Sequence, residues 1–149
     1  MPGTPLWSAT LDHLCIETTN SAPMRDFYRD VMGMAETNLG SGQWLMEGIG
    51  RRIMLAEGES KTKKFSGFAM SDDQKLLALR EHVENHGGEF TDAPSPMYQQ
   101  GAFAVRDPDG GVLCFGVARE TAPNGSGLEG RLQHVVVTTR NIARMMDYY

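Results

Sequence analysis

Leu11-Asp12-His13-Leu14-Cys15-Ile16-Glu17-Thr18-Thr19-Asn20-Ser21-Ala22-Pro23-Met24-Arg25-Asp26-Phe27-Tyr28 is the stretch from which the rest of the chain can be read. Its first half is a run of branched and apolar residues closing on two threonines, the composition of a β-strand. Period two separates Leu14 and Ile16 from His13, Cys15 and Glu17. In the second half, Pro23 suits a helix start, because the N–H it lacks is one that the first turn leaves unpaired anyway. Met24, Phe27, Tyr28 and Val31 then fall at i, i+3, i+4 and i+7. This single stripe predicts a helix over 22–32, ended by Gly33 in a left-handed cap.

The same stretch begins again 121 residues later, without gaps. Leu11/Leu132, His13/His134, Thr18/Thr139, Asn20/Asn141, Ala22/Ala143, Met24/Met145, Asp26/Asp147 and Tyr28/Tyr149 are identical pairs, eight in 18 aligned positions. An internal repeat decides architecture before any single element does. Between the two copies, short apolar runs at 34–38, 43–48 and 52–57 read as strands, each bounded by glycine or polar residues. Residues 58–64, with Lys61, Lys63 and Lys64, read as a solvated loop. A second round follows with a strand at 65–70. Ser71-Asp72-Asp73-Gln74 has the capping-box pattern, and Leu76, Leu77, Leu79 and Val83 form the stripe of a helix stopped by Gly87-Gly88. Strands near 89–92, 101–106 and 112–118 complete it, the last two joined by the turn Asp107-Pro108-Asp109-Gly110-Gly111. The order β-α-β-β-β therefore occurs twice, over 8–58 and 65–118, which together make one domain. Residues 119–130 read as a Gly/Pro-rich linker. Residues 131–149 read as the strand and helix start of a third, incomplete module, so the expectation is that the natural chain continues past Tyr149.

Composition excludes more than it assigns. The chain has 149 residues, 40% hydrophobic and 22% charged, with a formal net charge of −5. An acidic balance argues against nucleic acid, which needs a basic face, and against docking on an anionic membrane. The apolar runs are far shorter than a membrane span, and the start Met1-Pro2-Gly3-Thr4-Pro5 predicts no secretory leader. Cys15 and Cys114 lie inside apolar runs and read as reduced, buried thiols, which predicts a cytoplasmic location.

The histidine-bearing strand, the helix with Asp26-Phe27-Tyr28-Arg29-Asp30-Val31-Met32-Gly33, and the Asp107-Pro108-Asp109-Gly110 turn resemble the vicinal oxygen chelate superfamily of glyoxalase I, bleomycin-resistance proteins and extradiol ring-cleaving dioxygenases. The resemblance covers about 8–149. It implies an α+β fold in which two paired βαβββ modules form a curved, cup-like mixed sheet with helices on the outside. In metal-binding members the first and last strand of each module supply the ligands. Carried over, those positions are His13, Met54, Gly67 and Cys114, where the family pattern wants His, Glu, His and Glu. A thioether and a thiol suit the family's hard divalent cations poorly.

That departure is similar to the N-terminal half of two-domain extradiol dioxygenases, which has lost its ligands. The resemblance then implies that residues 1–120 hold no metal and that His134 is the first ligand of a site whose other ligands lie beyond Tyr149. Fe²⁺ or Mn²⁺ there would bind the two oxygens of a catecholic substrate. His13 is a ligand only if partners converge on it; otherwise it is a hydrogen-bonded strand histidine. Cys15, Glu17, Trp44, Met46, Met54, Phe103 and Cys114 are expected to line the pocket, provided their strand faces turn inward. No residue of the chain is assigned as catalytic. His82 and His86, i and i+4 on the second helix, read as helix-end surface residues. Two other functions stay open: a metal-free binding protein of the bleomycin-resistance type, and a glyoxalase-like lyase, which Met54 and Cys114 disfavour. A homodimer or higher homo-oligomer and a small aromatic ligand are the implied partners.

Overall fold

The computed structural model describes residues 8–59, 62–120 and 129–149. Lys61 and most of the expected linker lie outside the described residues. The elements are β1 (Thr10–Thr18), helix α1 (Ser21–Asp26) running into a π-helical turn (Phe27–Val31), β2 (Ala35–Gly40), β3 (Gln43–Gly48), β4 (Arg51–Glu57), β5 (Lys63–Met70), α2 (Asp73–Asn85), β6 (Glu89–Thr91), β7 (Phe103–Arg106), β8 (Val112–Val117) and α3 (Ile142–Tyr148). This is the expected α+β class with βαβββ twice, on mixed pairing: β1 runs parallel to β4, and the β2–β3, β3–β4, β6–β7 and β7–β8 pairs are antiparallel.

The chain divides into two compact units. The first holds described residues within 11–67 and 120–138, with strand order β2-β3-β4-β1-β5. Its core cluster is Met34, Trp44, Met46 and Leu55, with Ile16, Met24, Tyr28, Met32 and Ile53 packed against it. Of the helix stripe read from the sequence, Met24 and Tyr28 cover this face, whereas Phe27 and Val31 are exposed and Met32 packs in their place, because the extra residue in the π turn shifts the inward positions from i+7 to i+8. The helix widens at its exit into a π turn, in which the Met32 N–H donates to the Phe27 carbonyl at 3.1 Å. Gly33 follows at φ +65°, a conformation that costs glycine little.

The second unit holds residues 8–10, 68–119 and 139–149, with the order β5-β8-β7-β6. Its core is Met70, Leu76, Leu79, Phe103, Val105 and Leu113. The cap of α2 falls one residue later than the capping box predicts: the Asp72 carboxylate, not Ser71, accepts from a backbone N–H, that of Lys75 at 2.8 Å. In the 107–111 turn one carboxylate oxygen of Asp107 accepts from the N–H groups of Asp109 (3.0 Å) and Gly111 (2.8 Å).

The repeated stretch comes out unequally. Its helix start forms both times, and in both the backbone N–H of the asparagine donates to the preceding threonine hydroxyl at 3.0 Å, Asn20 to Thr18 and Asn141 to Thr139. The Asn141 side chain also caps α3, accepting from the Arg144 N–H at 3.1 Å. Asn20 makes no such side-chain bond. The residue aligned with Arg144 is Pro23, which has no N–H to give. The strand predicted over 132–139 is a correction: the described residues 129–140 form no strand. A strand is a set of ladder hydrogen bonds to neighbours, and β1 has β4 and β5 on either side whereas this segment has none among the described residues.

Candidate functional site

In the first unit the register decides what meets what. Cys15 lies opposite Met54, His13 opposite Arg52, and Glu17 opposite Ala56. Ile16, Ile53 and Leu55 belong to the helix-side cluster, so the alternating residues Cys15, Met54 and His13 occupy the other face. All three are buried, His13 at 0%, Cys15 at 2% and Met54 at 1% exposure.

His13 is held from two directions. Its Nδ1 donates to the Asp12 carboxylate at 2.6 Å, and its ring stands edge-on to Phe65, with centroids 5.7 Å apart. The Arg52 guanidinium donates to the same Asp12 oxygen. Burial works to raise the Asp12 pKa, but the His13 hydrogen bond and the Arg52 charge outweigh it, and the carboxyl sits below its ordinary value. Burial pushes the Cys15 thiol up to about 11, against the pull of Lys64, so it is protonated at neutral pH. Glu17 pairs with Lys64 at 2.9 Å. A Cβ on Gly58 would come within 2.1 Å of the Glu17 carboxyl carbon, so only glycine lets Glu17 lie there.

The other expected pocket residues divide. Trp44 and Met46 are on the helix-side face, Trp44 with the Arg25 guanidinium 4.4 Å from its ring centroid. Phe103 is likewise in the helix-side core of the second unit, stacked on Phe115. These three therefore face the helices, away from the His13 side in the first unit and the Cys114 side in the second. Cys114 pairs with Ala104 on the reverse face of Phe103 and Phe115, and both are at 0% exposure. Burial raises the Cys114 thiol to about 11. His134 is exposed, in the segment without ladder partners.

A hard divalent cation does not fit this donor set. The strand face around His13 offers a protonated thiol, a thioether and a guanidinium, its two carboxylates stand against cations, Glu17 at Lys64 and Glu47 in register with Arg52, and among the described residues no group of three His, Cys, Asp or Glu converges. Asp12 and Arg52, which fix the His13 ring, were not singled out by sequence. Arg52 carries no local signal, because only the β1–β4 register brings it to Asp12.

The architecture is that of one large superfamily, and residues 10–115 match it: the chain belongs to the Glyoxalase/Bleomycin resistance protein/Dioxygenase superfamily. Among solved structures it is similar to a catechol 2,3-dioxygenase (TM-score 0.78, 19% identity, covering 94% of this chain and 53% of that one). It is also similar to homoprotocatechuate 2,3-dioxygenase from Brevibacterium fuscum in complex with 3,4-dihydroxyphenylacetate (0.76, 18%, 97% and 51%). The enzyme of that name from Arthrobacter globiformis matches at 0.75, with 19% identity, 99% and 50%. The chain thus spans about half the length of these structures. At such identity the likeness is one of fold. No curated protein matches the sequence. Among the described residues no helix is long and apolar enough to cross a membrane.

Proposed function

We propose that this chain is the non-catalytic N-terminal domain of an extradiol ring-cleavage dioxygenase-like protein, with a divalent metal, Fe²⁺ or Mn²⁺, held outside residues 1–120. The observation that carries this reading is the donor set at the module positions. His13 is hydrogen-bonded to Asp12, which Arg52 holds, and Met54, Gly67 and Cys114 stand where carboxylates and a second histidine would be needed. The repeated start, which places His134 at the position of His13, supports a metal-bearing continuation. The metal would supply side-by-side binding of an aromatic diol and dioxygen. This domain would contribute packing and assembly, as a cytoplasmic homodimer or higher homo-oligomer.

The test is metal analysis and catechol cleavage on the protein encoded by the complete reading frame. One iron or manganese per chain is expected, lost in His134→Ala and kept in His13→Ala. Metal retained by His134→Ala, or lost in His13→Ala with the fold intact, overturns the assignment. A metal-free binding protein of the bleomycin-resistance type is the second reading, favoured by the same donor set. It predicts a thermal shift with planar aromatic ligands and none with divalent metal. A glyoxalase-like lyase is disfavoured by Met54 and Cys114.

A further inference from the structure

From the pairing of Cys15 with Met54 on one buried strand face, beside His13, we infer a site for a soft monovalent cation, Cu⁺ or Ag⁺, in the first unit. The three donors are a thiol, a thioether and an imidazole, the set that soft metals select. Geometry favours the two sulfurs as the primary ligands. A metal–sulfur bond is roughly 2.3 Å, so a cation between two sulfurs spans about 4.6 Å. Neighbouring strands are about 4.8 Å apart, and Cys15 and Met54 are direct partners across β1 and β4. His13 is on the same face of β1, about 6.6 Å along the strand from Cys15 by residue rise, within reach as a third donor.

Donor softness decides between a soft monovalent ion and a hard divalent one. Binding displaces the thiol proton: M⁺ plus Cys15–SH gives M–S–Cys15 and H⁺. The monovalent ion and the Cys15 thiolate form a neutral pair, which leaves the Asp12–Arg52 ion pair and the Glu47 carboxylate in register with Arg52 as they are. The inference does not rest on the dioxygenase reading, because it concerns only the first unit.

The test is anaerobic competition of the purified protein against a chromogenic Cu⁺ chelator, read after prolonged equilibration because the donors are buried. Calorimetry with Ag⁺ gives the stoichiometry. One equivalent per chain is expected. Cys15→Ser should abolish it and Met54→Leu should weaken it at least tenfold, while Cys114→Ser leaves it unchanged. Leucine is close to methionine in volume, so the Met54 variant keeps the core should the Cys15 variant misfold; far-UV circular dichroism checks both. No Cu⁺ withheld by the wild type, equal loss in Cys114→Ser, undiminished binding in Met54→Leu, or stoichiometric Zn²⁺ on the same residues would each overturn the site.

Discussion

The stretch 11–28 and its repeat 132–149 share eight residues, yet only their helix starts look alike. The first copy makes a strand whose histidine is fully buried; the second keeps its histidine exposed in a segment without a ladder. Helix starts are local: an asparagine, a threonine hydroxyl and a few backbone groups within one turn suffice. Strands are not local, since half of every hydrogen bond belongs to another segment. A sequence can therefore repeat its helix faithfully while the fate of its strand is set by residues far away.

The sharpest way to break this comparison is to remove both histidines. His13→Ala should cost about 3 kcal/mol in urea unfolding, through the lost Asp12 hydrogen bond and the space left against Phe65. His134→Ala should stay within about 0.5 kcal/mol. Equal costs would mean that the second histidine is as enclosed as the first.

Asp12→Asn, with no counterpart at Gln133, should cost about 2 kcal/mol at neutral pH by releasing Arg52 and His13. Its pH dependence has a definite sign. The Asp12 pKa is lowered in the folded protein, so its contribution is complete above the unfolded value and is lost as pH falls through the folded one. Urea midpoints of wild type and variant should stay apart above about pH 5 and converge on acidification below about pH 4. A gap that persists at low pH would contradict the assignment.

The caps provide a finer contrast. Asn141→Ala should lower stability by about 1 kcal/mol, whereas Asn20→Ala should cost clearly less, because its side chain caps nothing. Tyr149→Phe removes the hydroxyl that donates to the second Asp107 oxygen at 3.1 Å, and should cost about 0.5 kcal/mol given the exposure of that ring. A thermal melt that leaves Tyr149→Phe indistinguishable from wild type would remove this bond from the anchoring of α3, leaving buried Met145.

What could be read from the sequence follows the same division. The strands β3 and β4, the bounds of α2 and the Asp107 turn lie within a residue or two of expectation, because each is announced by glycine, proline or helical spacing; of the α2 stripe, Leu76, Leu79 and Val83 pack inward while Leu77 is exposed. The faces of Trp44, Met46 and Phe103 were not legible. In β3 every residue from Trp44 to Gly48 is buried, Glu47 included, so polarity does not alternate and only pairing fixes which side is which. The loop expected over 58–64 gives way to β5 from Lys63, where Lys64 finds Glu17 across the strands. Which residues stand at the positions the family resemblance points to was legible from the sequence once that resemblance located them. The Asp12–Arg52 clamp was not, since register creates it.

Pro23, standing where the repeat has Arg144, has a consequence for observation as well as for structure. A proline restrains the unfolded chain and leaves no exchangeable proton, while an arginine amide bonded to an asparagine cap carries one. Hydrogen exchange would thus record the opening of α3 at Arg144 as a protected signal, and would be silent at the matching point of α1. The two helix starts, so alike in sequence, keep time by different clocks, one of which has no hand at this position.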